Sequence, residues 1–224
     1  MCAAPTLRGA ALSVKILLPT LAAATLLAGC KTTGEIDATG GNTAVRTACP
    51  VVGVPAATGD VTLFDPPTSQ DENAIDLVAV MTHVRGSCND QGNDVVTTVT
   101  FDVQARRIRT DSARTVTLPY FVAIVRGGNM VVAKRIGSVT VQFAAGQARA
   151  EVSGSATTSI ARSAATLPQE VRDQLTRRRK AGDEDAATDP LSKPEVRKAV
   201  LSASFEALVG FQMTDAQLRY NASR

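Results

Sequence analysis

The sequence predicts an all-β protein: an antiparallel β-sandwich of immunoglobulin or fibronectin type, with about seven or eight strands and one helical insertion. Three observations predict it. Apolar residues recur with period 2 in several segments, the spacing of a strand with one face on a core. Clusters of Gly, Asn and Pro separate those segments at short intervals. One region, about residues 164–196, departs from the pattern and reads as helix and loop. With no Trp in the chain, the architecture is predicted without the Trp-centred core of a true immunoglobulin domain.

The strands begin after Cys49. Residues 75–86, IDLVAVMTHVRG, are β-rich on both faces and predict a well-buried strand. The clearest alternation follows. Val95, Thr97, Val99, Phe101, Val103 and Ala105 form an apolar face, while Val96, Thr98, Thr100, Asp102, Gln104 and Arg106 form a largely polar one. Two long strands then flank Gly127-Gly128-Asn129, residues that accept positive φ and so favour a hairpin turn. Pro119 has no N–H for a ladder, which assigns it to an edge or a bulge, and Gly137 is read as a bend. A turn at Ala145-Gly146-Gln147 leads to a strand near 148–158. In the insertion, Pro168 suits a first helical turn and Glu170 its positive end. Arg177, Arg178, Arg179 and Lys180 suit the negative end. The acidic, Pro-rich stretch 181–195 after them reads as loop. The last strand is expected over VLSASFEALVGFQ, 200–212, with Leu201, Ala203, Phe205, Ala207, Val209 and Phe211 on one face. Thr214 and Gln217 have capping-box spacing, so a short helical turn is expected to follow.

The amino terminus specifies location rather than chemistry. Residues 1–29 carry Arg8 and Lys15 and no acid, followed by about 12 apolar residues from Ile16 to Leu27. A membrane span needs roughly 20; a basic segment before a short apolar one is a secretory leader. Leu27-Ala28-Gly29-Cys30 resembles the lipobox of bacterial lipoproteins. The Gly- and Thr-rich stretch after it, with no apolar period, reads as a flexible tether over 30–47 before a domain spanning 48–224. The lipobox resemblance implies cleavage before Cys30 and lipidation of its thiol. It implies a cell-envelope protein facing the periplasm. Lys31 stands where enteric bacteria use Asp for inner-membrane retention, which favours the outer membrane. VTLPYFVAIV and ALVGFQMTDAQLRYN resemble segments of alphaproteobacterial envelope lipoproteins, a likeness that implies no particular activity.

Composition narrows the function classes. The leader holds 2 of the 24 basic residues and none of the 21 acids, so 22 basic residues face 21 acidic ones in the rest. No net field remains to attract nucleic acid. Two Tyr, six Phe and no Trp leave few rings for a sugar-binding platform. With Cys2 lost in the leader and Cys30 lipidated, Cys49 and Cys88 remain and are expected to form a disulfide in an oxidising compartment.

No catalytic set, cofactor or metal site is expected. There is no G-x-S-x-G motif and no P-loop, and any Ser-His-Asp triad would need His83, the chain's single histidine. His83 is read instead as a partly buried, hydrogen-bonded strand residue. CNDQGND, 88–94, offers oxygen ligands but lacks EF-hand spacing, and is read as a turn. DPPTSQDENAID, 65–76, is read as a solvated loop. The basic run 177–180 is a helix end that the acids after it can neutralise, and it is also the candidate partner surface. These features favour a non-catalytic, lipid-anchored protein-interaction or assembly module. A Ca²⁺- or small-ligand-binding lipoprotein is the alternative.

Overall fold

The computed structural model describes residues 47–177, 180, 182–185 and 187–223. The leader, Cys30, all but the last residue of the expected tether, and Arg178 and Arg179 lie outside the described residues. The elements in chain order are β1 (Val51–Gly53), β2 (Asp60–Phe64), β3 (Ile75–Asn89), β4 (Asp94–Arg107), β5 (Arg114–Arg126), β6 (Met130–Phe143) and β7 (Arg149–Ala161). Then come α1 (Arg162–Ala165), α2 (Gln169–Thr176), α3 (Pro194–Ser202), β8 (Phe205–Phe211) and α4 (Asp215–Ala222).

The eight strands make a two-sheet sandwich, as predicted. One sheet has the order β2-β3-β4-β7 and the other β1-β8-β5-β6. Neighbours are antiparallel except β1 and β8, which run parallel. The chain crosses from β4 to β5, forms the β5–β6 hairpin, and returns as β7 beside β4, a Greek-key path. The core lies between the inner faces. Leu77, Phe101 and Val103 from one sheet meet Leu118, Ile124, Val141, Val209 and Phe211 from the other.

The period-2 face of β4 is buried from Val95 to Ala105 at every second residue. Arg107 continues that phase and is buried too. Its Nε donates to Gln147 O at 2.8 Å and its Nη2 to Ala144 O at 2.9 Å, while the guanidinium sits 5.0 Å from the Phe143 ring centroid. It holds the turn between β6 and β7. The hairpin at Gly127-Gly128 has φ of 63° and 82°, the left-handed region that favours glycine.

Two readings of β5 and β6 change. Pro119 lies in a central strand, not an edge. Gln212 N donates to Pro119 O at 2.9 Å, so the ladder groups of Pro119 face β8 where that strand has just ended. Gly137 is no bend: β6 runs straight through it. A Cβ there would stand 2.6 Å from Tyr120 Cζ, so glycine makes room for the ring directly opposite. Gly154 does the same for Phe101. The two rings meet edge-on with centroids 4.9 Å apart, and Tyr120 Oη donates to Ser155 O, joining the sheets.

The last strand is shorter than expected. Phe205, Ala207, Val209 and Phe211 form its buried face, but Leu201 is exposed on α3 and Ala203 caps that helix. Pro194 at the first helical position starts α3, with Glu195 in its first turn. Val196 and Val200, four apart, give it an inward stripe that outweighs the alternating pattern. The insertion therefore reaches 202 and has a small core of its own, Leu167, Val196 and Val200, with Val171 and Leu175 packed against it. The capping box at Thr214 and Gln217 is present. It starts α4, which docks on β2 through Tyr220 edge-on to Phe64 and Asn221 Nδ2 donating to Ala57 O and Asp60 O.

Candidate functional site

Cys49, just before β1, and Cys88, near the end of β3, are bonded, with Cα atoms 6.0 Å apart. CNDQGND forms the turn into β4, where Asn89 Oδ1 accepts from Gln91 N. Among the basic run, Arg177 caps α2 and pairs with Asp185, while the backbone N–H of Lys180 donates to Asp183 Oδ2 at 3.0 Å. One of the following acids, Asp185, thus neutralises Arg177 at the helix end. Arg177 and Asp185 also line a shallow cleft with Asp173, Thr188, Pro190 and Lys193.

Loop 65–76 is not solvated throughout. Asp76 is 5% exposed and accepts from Arg114 at 2.8 and 2.6 Å and from Arg109 at 3.2 Å. Arg109 also pairs with Asp65. The hydrogen bond from Arg114 holds the Asp76 carboxyl below the usual carboxylate range, burial opposes it, and the charges of Arg114, Arg109 and Arg107 add to the lowering. The cluster pins the start of β3 to the start of β5.

The constellation with most chemical potential surrounds His83. Thr82 pairs with Asp102 and Arg85 with Thr100, so His83 and Val84 together oppose Phe101 alone. That is a β-bulge, and His83 takes φ of 49° within it, a left-handed conformation uncommon outside glycine. The extra residue turns the imidazole to the outer face of the sheet, where it is 60% exposed. The expected burial is absent; the expected hydrogen bond is present, between Nδ1 and Asp102 Oδ2 at 2.9 Å. Ser153 Oγ, on β7 opposite Asp102, donates to Asp102 Oδ1 at 2.7 Å. Hydrogen bonds from Ser153 first and His83 second keep the Asp102 carboxyl below its ordinary range. Ser and His both face the aspartate rather than each other, so this is not a nucleophile–base pair of the triad kind. Glu151 lies beside them. Among the described residues, His83, Asp102 and Glu151 bring three ligand-type atoms within 4.8 Å of one another.

A second surface is the free edge of β6. From Met130 to Ile136 both faces of the strand are exposed, with Val131 at 61% and Ile136 at 66%. Lys134 folds its ammonium over the Phe121 ring, 4.9 Å from the centroid. Sequence periodicity did not show this patch, because MVVAKRI has the apolar content of a core strand. Among the described residues, no helix is long and apolar enough to cross a membrane.

No protein-family model, no curated protein and no solved structure matches this chain.

Proposed function

We propose that the chain is an exported, lipid-anchored β-sandwich that acts as a non-catalytic protein-interaction or assembly module in the cell envelope. It faces the periplasm, with the outer membrane favoured over the inner. The lipobox-like Leu27-Ala28-Gly29-Cys30 supports the anchor, and a bonded cysteine pair suits an oxidising compartment. One observation carries the interaction: the exposed apolar edge of β6. An open strand edge offers unpaired N–H and C=O groups to an incoming extended segment, and flanking side chains give that pairing its preference. Met130, Val131, Val132 and Ile136 supply the apolar contacts at this edge. The basic run at 177–180 is the weaker candidate, because Arg177 already spends its charge on Asp185.

Each half has its own experiment. Cys30→Ala should leave the leader uncut or release the protein from membranes; a variant processed and fractionated like the wild type rejects the anchor. A photocrosslinker at Val132 or Ile136 should give a discrete adduct in native cells. Adducts no different from those at Thr157, on the polar face of β7, reject the β6 edge as the partner surface.

A further inference from the structure

We propose that His83, Asp102 and Glu151 bind a divalent transition-metal cation of the Zn²⁺ class on the outer face of the β2-β3-β4-β7 sheet. The site is separate from both the anchor and the β6 edge, so it stands independently of the function proposed above. The backbone sets its frame. Asp102 sits on β4, which is paired on both sides, and Glu151 and Ser153 sit two residues apart on β7. The bulge supplies the third ligand by turning His83 outward. Within the bulge Val84 packs against the core, while the left-handed His83 beside it leaves its side chain mostly exposed.

The atoms match the coordination. Zn²⁺ binds imidazole nitrogen and carboxylate oxygen at about 2.0–2.2 Å, which places tetrahedral ligand atoms roughly 3.3 Å apart. His83 Nδ1 and Asp102 Oδ2 are already 2.9 Å apart. Glu151 closes the rest by rotating its exposed side chain. The cation takes the place of the shared proton between His83 and Asp102. Ser153 occupies Asp102 Oδ1, leaving Oδ2 as a single, oriented ligand atom, the outer-sphere arrangement that positions carboxylates in metal sites. Neutral imidazole with two carboxylates balances a 2+ charge. A nitrogen and two oxygens favour Zn²⁺ over Ca²⁺, which takes six or more oxygens. Arg85 stands at the rim of the cleft and opposes a cation there.

The test titrates ZnCl₂ into the full chain, solubilised in detergent and free of any polyhistidine tag, by calorimetry and by NMR of the imidazole. The chain's single histidine makes that signal unambiguous. One Zn²⁺ per chain is expected, with a shift of the imidazole resonance and no displacement by excess CaCl₂. His83→Asn keeps a residue that tolerates the left-handed backbone and should weaken binding at least about tenfold. Glu151→Gln, an isosteric change on a strand surface, should weaken it similarly, while Arg85→Gln should tighten it by a few-fold. An imidazole unmoved by 100-fold excess Zn²⁺, or displacement by Ca²⁺, overturns the proposal. Unchanged affinity in the Glu151→Gln variant overturns it too.

Discussion

Asp76 shows how a single carboxylate couples the fold to pH. Its native pKa lies below the unfolded value near 3.8, so its contribution is complete above that pH and is lost as pH falls through the lower native value. Asp76→Asn removes the charge that Arg114 and Arg109 grip, and should destabilise the protein at neutral pH. The gap between wild type and variant should narrow as pH drops below about 4. Urea unfolding at pH 7 and pH 3 measures it, and a gap that stays constant would show that the charge of Asp76 contributes nothing. None of this was legible at Asp76 itself. It sits at the end of a loop rich in Pro and acids, and its burial depends on arginines 33 and 38 residues away. His83 was opaque for a related reason. A bulge arises from the mismatch of β3 with β4, and a strand read alone carries no sign of it. Arg107 was legible in principle, since it lies in phase with the buried face of β4, but an arginine at a core position is expected only once its turn carbonyls are known.

At the scale of elements, strands with one face on the core were readable, α2 and α4 were readable from their end signals, and α3 was not. The alternation in β4 and in β8 from Phe205 is imposed by burial on one side, so it appears directly in sequence. Helix α3 was hidden because KAVLSASFEA alternates through Ser and Ala, residues that suit either period; the decision fell to Pro194, Val196 and Val200. The same three positions make the insertion a unit that packs on itself. Removing part of it, such as residues 169–195, would strip the cover from Val196 and Val200. Val196→Asp is the cleaner probe, since it places a charge at a fully buried position remote from the sheet core. The helices should melt and become protease-sensitive over 169–202, while hydrogen exchange in β4 and β5 stays slow. Loss of protection in β4 as well would show that the insertion is part of the main cooperative unit.

For the whole molecule, the disulfide is the largest single constraint on the unfolded chain. It closes a loop with a sequence separation of 39, and its loss should cost about 2–4 kcal/mol. Thermal unfolding of the Cys49→Ser/Cys88→Ser variant should show a lower midpoint than the wild type; an unchanged midpoint would mean that the loop is equally restricted without the bond. The pairing was legible because two cysteines remain once Cys2 and the lipobox-like Cys30 are set aside, whereas the strand order was not, since pairing partners are set by long-range contacts. The bond also has a mechanical consequence. Any pull on the domain from its amino-terminal side enters at residue 49, where the covalent path forks. One branch leads into β1, three residues long and held to β8 by a short parallel ladder. The other passes directly to Cys88 in β3, a strand of 15 residues paired with β4 at that end and with both β2 and β4 at its start. The load therefore bypasses the three-residue strand and passes into one of the longest. Severing the bond would expose the segment between the two cysteines to the load, a stretch that reaches about 130 Å once unfolded, at roughly 3.4 Å per extended residue.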